Sequence, residues 1–153
     1  FTRACEFFNQ QLALRNIEVH WRIEPDLPPV LAEANRVEQV FMNLIINARD
    51  AIEARWEGNV PPHVVDAEKT ITISVFRDLG HVVAEICDSG VGVPEDILDR
   101  IFEPFFTTKD PGKGTGLGLS ISYGIIKDYG GTIFARKEEG WGACFVIRLP
   151  AAA

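Results

Sequence analysis

From Ala34 to Trp56 the chain carries Val37, Val40, Phe41, Leu44, Ile45, Ala48, Ala51 and Ile52 at helical spacing, so that wound as a helix they fall on one broad apolar arc. A helix of this length is held by what it packs against more than by its own propensity, so the chain must supply a second layer for that arc to lie on. The downstream sequence supplies it as strands. Thr70 to Arg77 and His81 to Asp88 are rich in β-branched residues and are joined around Asp78, Leu79 and Gly80, which predicts an antiparallel hairpin. Thr132 to Arg136 and Ala143 to Leu149 read as two further strands, and the alternation of Ile17, Val19, Trp21 and Ile23 as another, ended by the stretch from Pro25 to Pro29.

The remaining elements are helical or irregular. Phe1 to Arg15 has helical composition, with Phe7, Phe8, Leu12 and Leu14 available for a buried stripe. Pro94, followed by Glu95 and Asp96, suits the first turn of a short helix to about Phe102, because proline is tolerated at the first helical position and acids complement the dipole. A helix over Gly116 to Tyr129 is stopped by Gly130 and Gly131. Loops are expected over Glu57 to Ala67 and Glu103 to Gly114. Together these elements predict an α/β (α+β) two-layer sandwich: a mixed, mainly antiparallel sheet covered on one face by helices, its other face partly open to solvent or to a neighbour. With 153 residues and 46% of them hydrophobic, a single domain over residues 1–153 is expected.

Composition excludes several classes of function. The net charge of −7 disfavours a nucleic-acid binder, whose affinity rests on basic residues that release counterions. No window of about twenty apolar residues is present, and no charged segment followed by an apolar run marks a signal peptide. Cys5, Cys87 and Cys144 lie far apart without Cys-x-x-Cys spacing, which predicts buried thiols in a reducing compartment and no disulfide framework. His20, His63 and His81 are equally scattered, so a metal site of histidines and cysteines is not expected.

Four segments carry chemistry. On the long helix Asn43, Asn47 and Asp50 sit at i, i+4 and i+7 and form a polar stripe beside the apolar arc. Short oxygen ligands aligned in this way can hold a magnesium ion that keeps several waters and bridges phosphates. A stripe of this kind, taken alone, is more often a solvated helix edge. In Asp88-Ser89-Gly90-Val91-Gly92-Val93-Pro94 a strand ends in an acid, and two glycines let the backbone approach a ligand closely. A carboxylate there can accept a hydrogen bond from an exocyclic amine, the group by which adenine differs from guanine. Asp-x-Gly-x-Gly alone is also simply a tight turn. Gly112 to Ser120 places a glycine-rich loop before a helix, where free amides and the helix dipole suit a phosphate chain. The Walker A ending is absent, because Lys113 is followed by Gly114, and so is Gly-x-Gly-x-x-Gly. Between the glycine motifs Phe102, Phe105 and Phe106 fit a latch onto the core or equally a buried short helix end, and Lys109 and Lys113 could reach a γ-phosphate, although surface lysines are usually solvated.

In this order the segments resemble the four boxes of the sensor histidine kinase ATP-binding domain, within the gyrase, Hsp90, histidine kinase and MutL superfamily. Glu38 to Ala51 looks like the N box, Asp88 to Pro94 the first G box, Ile101 to Lys109 the F box, Gly114 to Leu119 the second G box and Gly140 to Pro150 the closing strand pair. The resemblance covers almost the whole chain and implies the Bergerat-type ATP-binding fold. It implies that Asn47 ligates magnesium, supported by Asn43 and Asp50, and that Asp88 recognises the adenine amine beside Gly90 and Gly92. Thr115, Gly116, Leu117 and Gly118 would wrap the phosphates, Lys109 would lie near the γ-phosphate, and residues from about 89 to 115 would contain an ATP lid.

It further implies that ATP, carried with Mg2+, gives its γ-phosphate to a histidine on separate dimerisation helices. None of the chain's own histidines has the helical context of such an acceptor. The expected partners are those helices and the receiver domain of a response regulator, with no nucleic acid, in a homodimeric, cytoplasmic part of a membrane-anchored sensor. Two features depart from the pattern: Ala143 and Cys144 stand where many relatives carry Ser or Thr, and the Glu57 to Ala67 loop is long. Gyrase-like and chaperone ATPases carry an acid where this chain has Asn43, which favours a kinase, while serine kinases of the superfamily and a binding-only regulatory module stay open.

Overall fold

The computed structural model describes residues 10, 17–57, 69–93, 95–98, 100–103, 118–137 and 142–152. The expected helix over residues 1–15 and the two long loops fall largely outside these residues. Within them, β1 is Glu18–Ile23, α1 Ala34–Glu57, β2 Thr70–Asp78, β3 His81–Asp88, α2 Gly118–Asp128, β4 Thr132–Arg136 and β5 Ala143–Pro150.

The sheet has the order β1-β2-β3-β5-β4. β1 runs parallel to β2, with Val19 opposite Ile71, and every other pairing is antiparallel. The sheet is therefore mixed and mainly antiparallel. β1 and β2 are the two strands separated by α1, and a parallel pair needs such a crossover.

One face of the sheet packs against the helices. Val40, Phe41, Leu44, Ile45, Ala48 and Ile52 of α1 meet Ile71, Ile73, Ala84, Ile86, Phe145 and Ile147, all buried, with Ile125 and Ile126 of α2 closing the layer. The arc read from the sequence is the buried face of α1. Arg36 at its start reaches Asp128 at the end of α2 (2.8 Å), and the Tyr129 hydroxyl accepts a bond from the Glu33 amide (3.1 Å). α2 stops where expected: Gly130 adopts φ +74°, its amide donates to the Lys127 carbonyl, and the Gly131 amide donates to the Ile126 carbonyl. That is a Schellman cap, which only glycine enters without steric cost.

Two expectations are corrected. The short helix from Pro94 to about Phe102 is a single 3-10 turn, Glu95–Ile97, followed by turns closed by Arg100 N to Ile97 O and Glu103 N to Arg100 O. Ile97, Leu98, Ile101 and Phe102 recur at helical spacing, but Ile97, Ile101 and Phe102 reach the core from consecutive turns instead, and one isolated turn does not repay its own nucleation. The cysteines are not all free thiols: Cys87 and Cys144 form a disulfide. They lie directly opposite each other on β3 and β5, a proximity that their 57-residue separation conceals. No helix among the described residues is long and apolar enough to cross a membrane.

Candidate functional site

β3 delivers Asp88 to its C-terminal end, where the side chain is 1% exposed. Its Oδ1 accepts a hydrogen bond from the Gly90 amide (2.8 Å), and the Ala143 amide also donates to the carboxyl. The Asp88 carbonyl accepts from the Gly142 amide at 2.6 Å. Burial nevertheless outweighs these donors and pushes the carboxyl up to about 7. The result is a buried carboxyl cradled by amides of its own turn and of β5.

The glycines around it are required by contacts within the protein. A Cβ on Gly90 would lie 2.5 Å from the Ala51 carbonyl carbon of α1, and one on Gly142 would lie 2.6 Å from Asp88 Oδ1. Gly92 has φ +78°, and a Cβ there would meet the Gly142 carbonyl oxygen at 2.7 Å. The Val91 amide donates to the Ala51 carbonyl (3.2 Å). Hence the turn after Asp88 sits directly on the part of α1 that carries Asn47 and Asp50.

The polar stripe of α1 is half-buried along its length. Asn43 Nδ2 donates to the Gly118 carbonyl (3.2 Å) and to Ser122 Oγ (3.1 Å), while Ser122 Oγ donates to the Gly118 carbonyl (2.9 Å). This spends the Asn43 amide group's donors and orients its oxygen as the acceptor. Asp50 Oδ1 accepts from Arg49 Nη2 (3.1 Å). Phe102 packs on Tyr123 with centroids 5.8 Å apart and edge-on to Phe145 at 6.3 Å, so this aromatic of the expected latch is seated on the core.

The structure thus brings Asn43, Asn47, Asp50, Asp88, Gly90, Gly92 and Gly118 around α1. Lys109, Thr115, Gly116 and Leu117 lie outside the described residues, as do Phe105 and Phe106. Sequence reasoning passed over Ser122 and Ser89. Ser122 is fully buried, and the spacing from Gly118 (i+4) was its available signal. Ser89 accepts the Thr70 amide at 2.9 Å and ties the turn to β2.

Residues 32–153 match the family described as histidine kinase-, DNA gyrase B-, and HSP90-like ATPase. The chain belongs to that family. A relative from Brucella abortus (strain 2308), sensor kinase CckA, is 45% identical over 143 residues, covering 92% of this chain. The chain spans only 15% of that relative's length. Among solved structures, the catalytic domain of histidine kinase ThkA is 31% identical with a TM-score of 0.77, covering 98% of this chain and 89% of that one. Histidine kinase ThkA in complex with response regulator protein TrrA is 29% identical with a TM-score of 0.74, covering 99% of this chain and 39% of that one. The five-stranded mixed sheet under two described helices is therefore the fold of a histidine kinase catalytic domain.

Proposed function

We propose that this chain binds Mg-ATP and presents the γ-phosphate to a histidine on separate dimerisation and phosphoacceptor helices of a two-component sensor kinase. The observation that carries the reading is the cradle of Asp88, a buried carboxyl at a strand end beside the stripe of α1. The adenine amine donates to this carboxyl, whereas guanine offers an oxygen at the same place. A mismatched buried acceptor is among the more costly errors in recognition.

The donors available suit magnesium. Among the described residues no cluster of three His, Cys, Asp or Glu side chains could form an all-protein cage. Magnesium instead binds through one or two side chains, waters and substrate phosphates. Asn43 and Asp50 are about 10 Å apart along the helix axis, too far to ligate one ion together, so Asn47 between them is the ligand and its neighbours hold the ion's waters. The ion neutralises phosphate charge when bound. Asn43, fixed by Gly118 and Ser122, places an amide oxygen where related ATPases carry an acid, which leaves no strong base to activate water.

Residues 89–115 are assigned as the lid and Lys109 as the contact to the γ-phosphate, with Thr115, Gly116, Leu117 and Gly118 around the phosphates. Residues 1–153 constitute one ATP-binding domain on this reading. The whole protein is a homodimeric sensor, cytoplasmic at this domain and anchored in a membrane, with a response regulator as its partner.

Calorimetric titration with a non-hydrolysable ATP analogue tests the site. The expected affinity is micromolar to sub-millimolar, roughly −5 to −8 kcal/mol, weaker without magnesium and lost with GTP and in Asp88→Asn. Equal binding of GTP sinks the assignment of Asp88. Transfer is tested by supplying the phosphoacceptor helices: acid-labile phosphate supports histidine, and acid-stable phosphate identifies a serine kinase.

A further inference from the structure

Cys87 immediately precedes Asp88 on β3, and Cys144 immediately follows Ala143 on β5. The register sets Cys87 opposite Cys144 and Asp88 opposite Ala143, so the disulfide is the rung next to the amide cradle of Asp88. One donor to the carboxyl, the Ala143 amide, comes from β5, and Gly142 just before it donates to the Asp88 backbone carbonyl. The spacing of β3 and β5 at this end therefore sets the geometry of the carboxyl. We propose that Cys87 and Cys144 are a redox modification site, a cross-strand dithiol–disulfide couple that sets how tightly the Asp88 pocket holds adenine nucleotide. This rests on Asp88 being the adenine anchor.

Packing carries the coupling. Bonded sulfurs sit about 2.05 Å apart, whereas non-bonded heavy atoms settle at about 3.5–4 Å. Cys144 is fully buried and Cys87 is 8% exposed, and Val146, two residues along β5 on the same face as Cys144, is 2% exposed. A close-packed environment gives separated sulfurs little room, so the two strands take up the expansion. Asp88 sits one residue away, and its cradle loosens with them.

The exchange partner is a low-molecular-weight thiol of the glutathione class. Its thiolate attacks Sγ of Cys87, the less buried sulfur; the S–S bond breaks and Cys144 leaves as a thiolate that takes up a proton. A second thiolate attacks the small-molecule sulfur of the mixed disulfide and displaces Cys87, which is protonated in turn. The products are two protein thiols and one small disulfide, and oxidation by that disulfide is the reverse. Linkage demands reciprocity: if the disulfide tightens nucleotide binding by some factor, bound nucleotide favours the disulfide by the same factor.

The test uses the 153-residue chain with Cys5→Ser, so that one pair of thiols is present, equilibrated with oxidised glutathione or with a thiol reductant. Alkylation and intact mass establish each state, and a non-hydrolysable ATP analogue is titrated into both. The oxidised form is expected to bind about three- to tenfold more tightly, because its anchor is held in place. Saturating analogue should shift the glutathione equilibrium by the same factor. The Cys87→Ala/Cys144→Ala variant should bind identically under both treatments, and should this variant fail to fold, the two wild-type-pair arms still decide the matter. Affinities equal within about twofold, tighter binding in the reduced form, or two free thiols after treatment with oxidised glutathione would each overturn the proposal. Absence of binding in both states would instead overturn Asp88 as the adenine anchor, and the redox proposal with it.

Discussion

Asp88 retains its proton to about pH 7 because burial outweighs the amides of Gly90 and Ala143. Its folded pKa therefore lies above the unfolded value of about 3.9. Between these values the folded chain binds the additional proton, so stability falls as pH rises. The contribution is fully present below about pH 4 and is lost as pH passes through about 7. In urea titrations from pH 4 to 8, the wild-type chain is expected to lose stability relative to Asp88→Asn, whose side chain cannot ionise; a difference that does not change with pH would refute the raised pKa. Gly90 offers a second residue-scale check. Its Cβ would strike the backbone of Ala51, which cannot swing aside as a long side chain can. Gly90→Ala is expected to cost about 1–3 kcal/mol and to lower the denaturation midpoint, and an unchanged midpoint would show that the turn does not bear on α1. In the sequence the glycines read as places where the backbone approaches a ligand, whereas the close contacts seen are to Ala51 and Gly142, partners hidden because both contacts join segments far apart along the chain.

At the scale of elements, what could be read was whatever is local. The period of α1, the hairpin of β2 and β3 and the glycine stop of α2 are each encoded within a few neighbouring residues. The parallel pairing of β1 with β2, the disulfide between β3 and β5 and the bond from Asn43 to Ser122 depend on topology, and no local pattern announces them. The short helix failed although its local signals agree, since Pro94, its acids and the spacing of Ile97, Leu98, Ile101 and Phe102 all favour a helix, and Ile97, Ile101 and Phe102 pack on the core from consecutive turns instead. The hairpin also contains a local conflict. Leu79 (φ +46°) and Gly80 (φ +79°) form a two-residue turn with both central residues left-handed, and Leu79 is 89% exposed. Such a turn favours Asn-Gly. Leu79→Asn should relieve the backbone and raise stability by about 1 kcal/mol, seen as a melting temperature about 2–4 °C higher. No gain would mean that the turn is relaxed with leucine in place.

The groups proposed to meet the ligand lie on separate segments: the turn after β3 leans on α1 through Val91 and Ala51, and the start of α2 is tied to α1 through Asn43, Gly118 and Ser122. A nucleotide contacting Asp88, Asn47 and the start of α2 together would bridge these segments, and unfolding would have to release it. Binding to the folded state alone stabilises by mass action, about 2.7 kcal/mol at a hundred times the dissociation constant. For a chain of this size that corresponds to a rise of about 5–10 °C in melting temperature. The rise should be larger for the ATP analogue with magnesium than without it, since the chain's net charge of −7 gives a polyanion no general attraction and leaves its neutralisation to the ion and a few local donors. It should vanish in Asp88→Asn and with GTP. Equal shifts for ATP and GTP analogues would locate the affinity in the phosphates and remove Asp88 from recognition, while a magnesium-independent shift would remove Asn47 from ion binding and leave the stripe of α1 as a solvated edge.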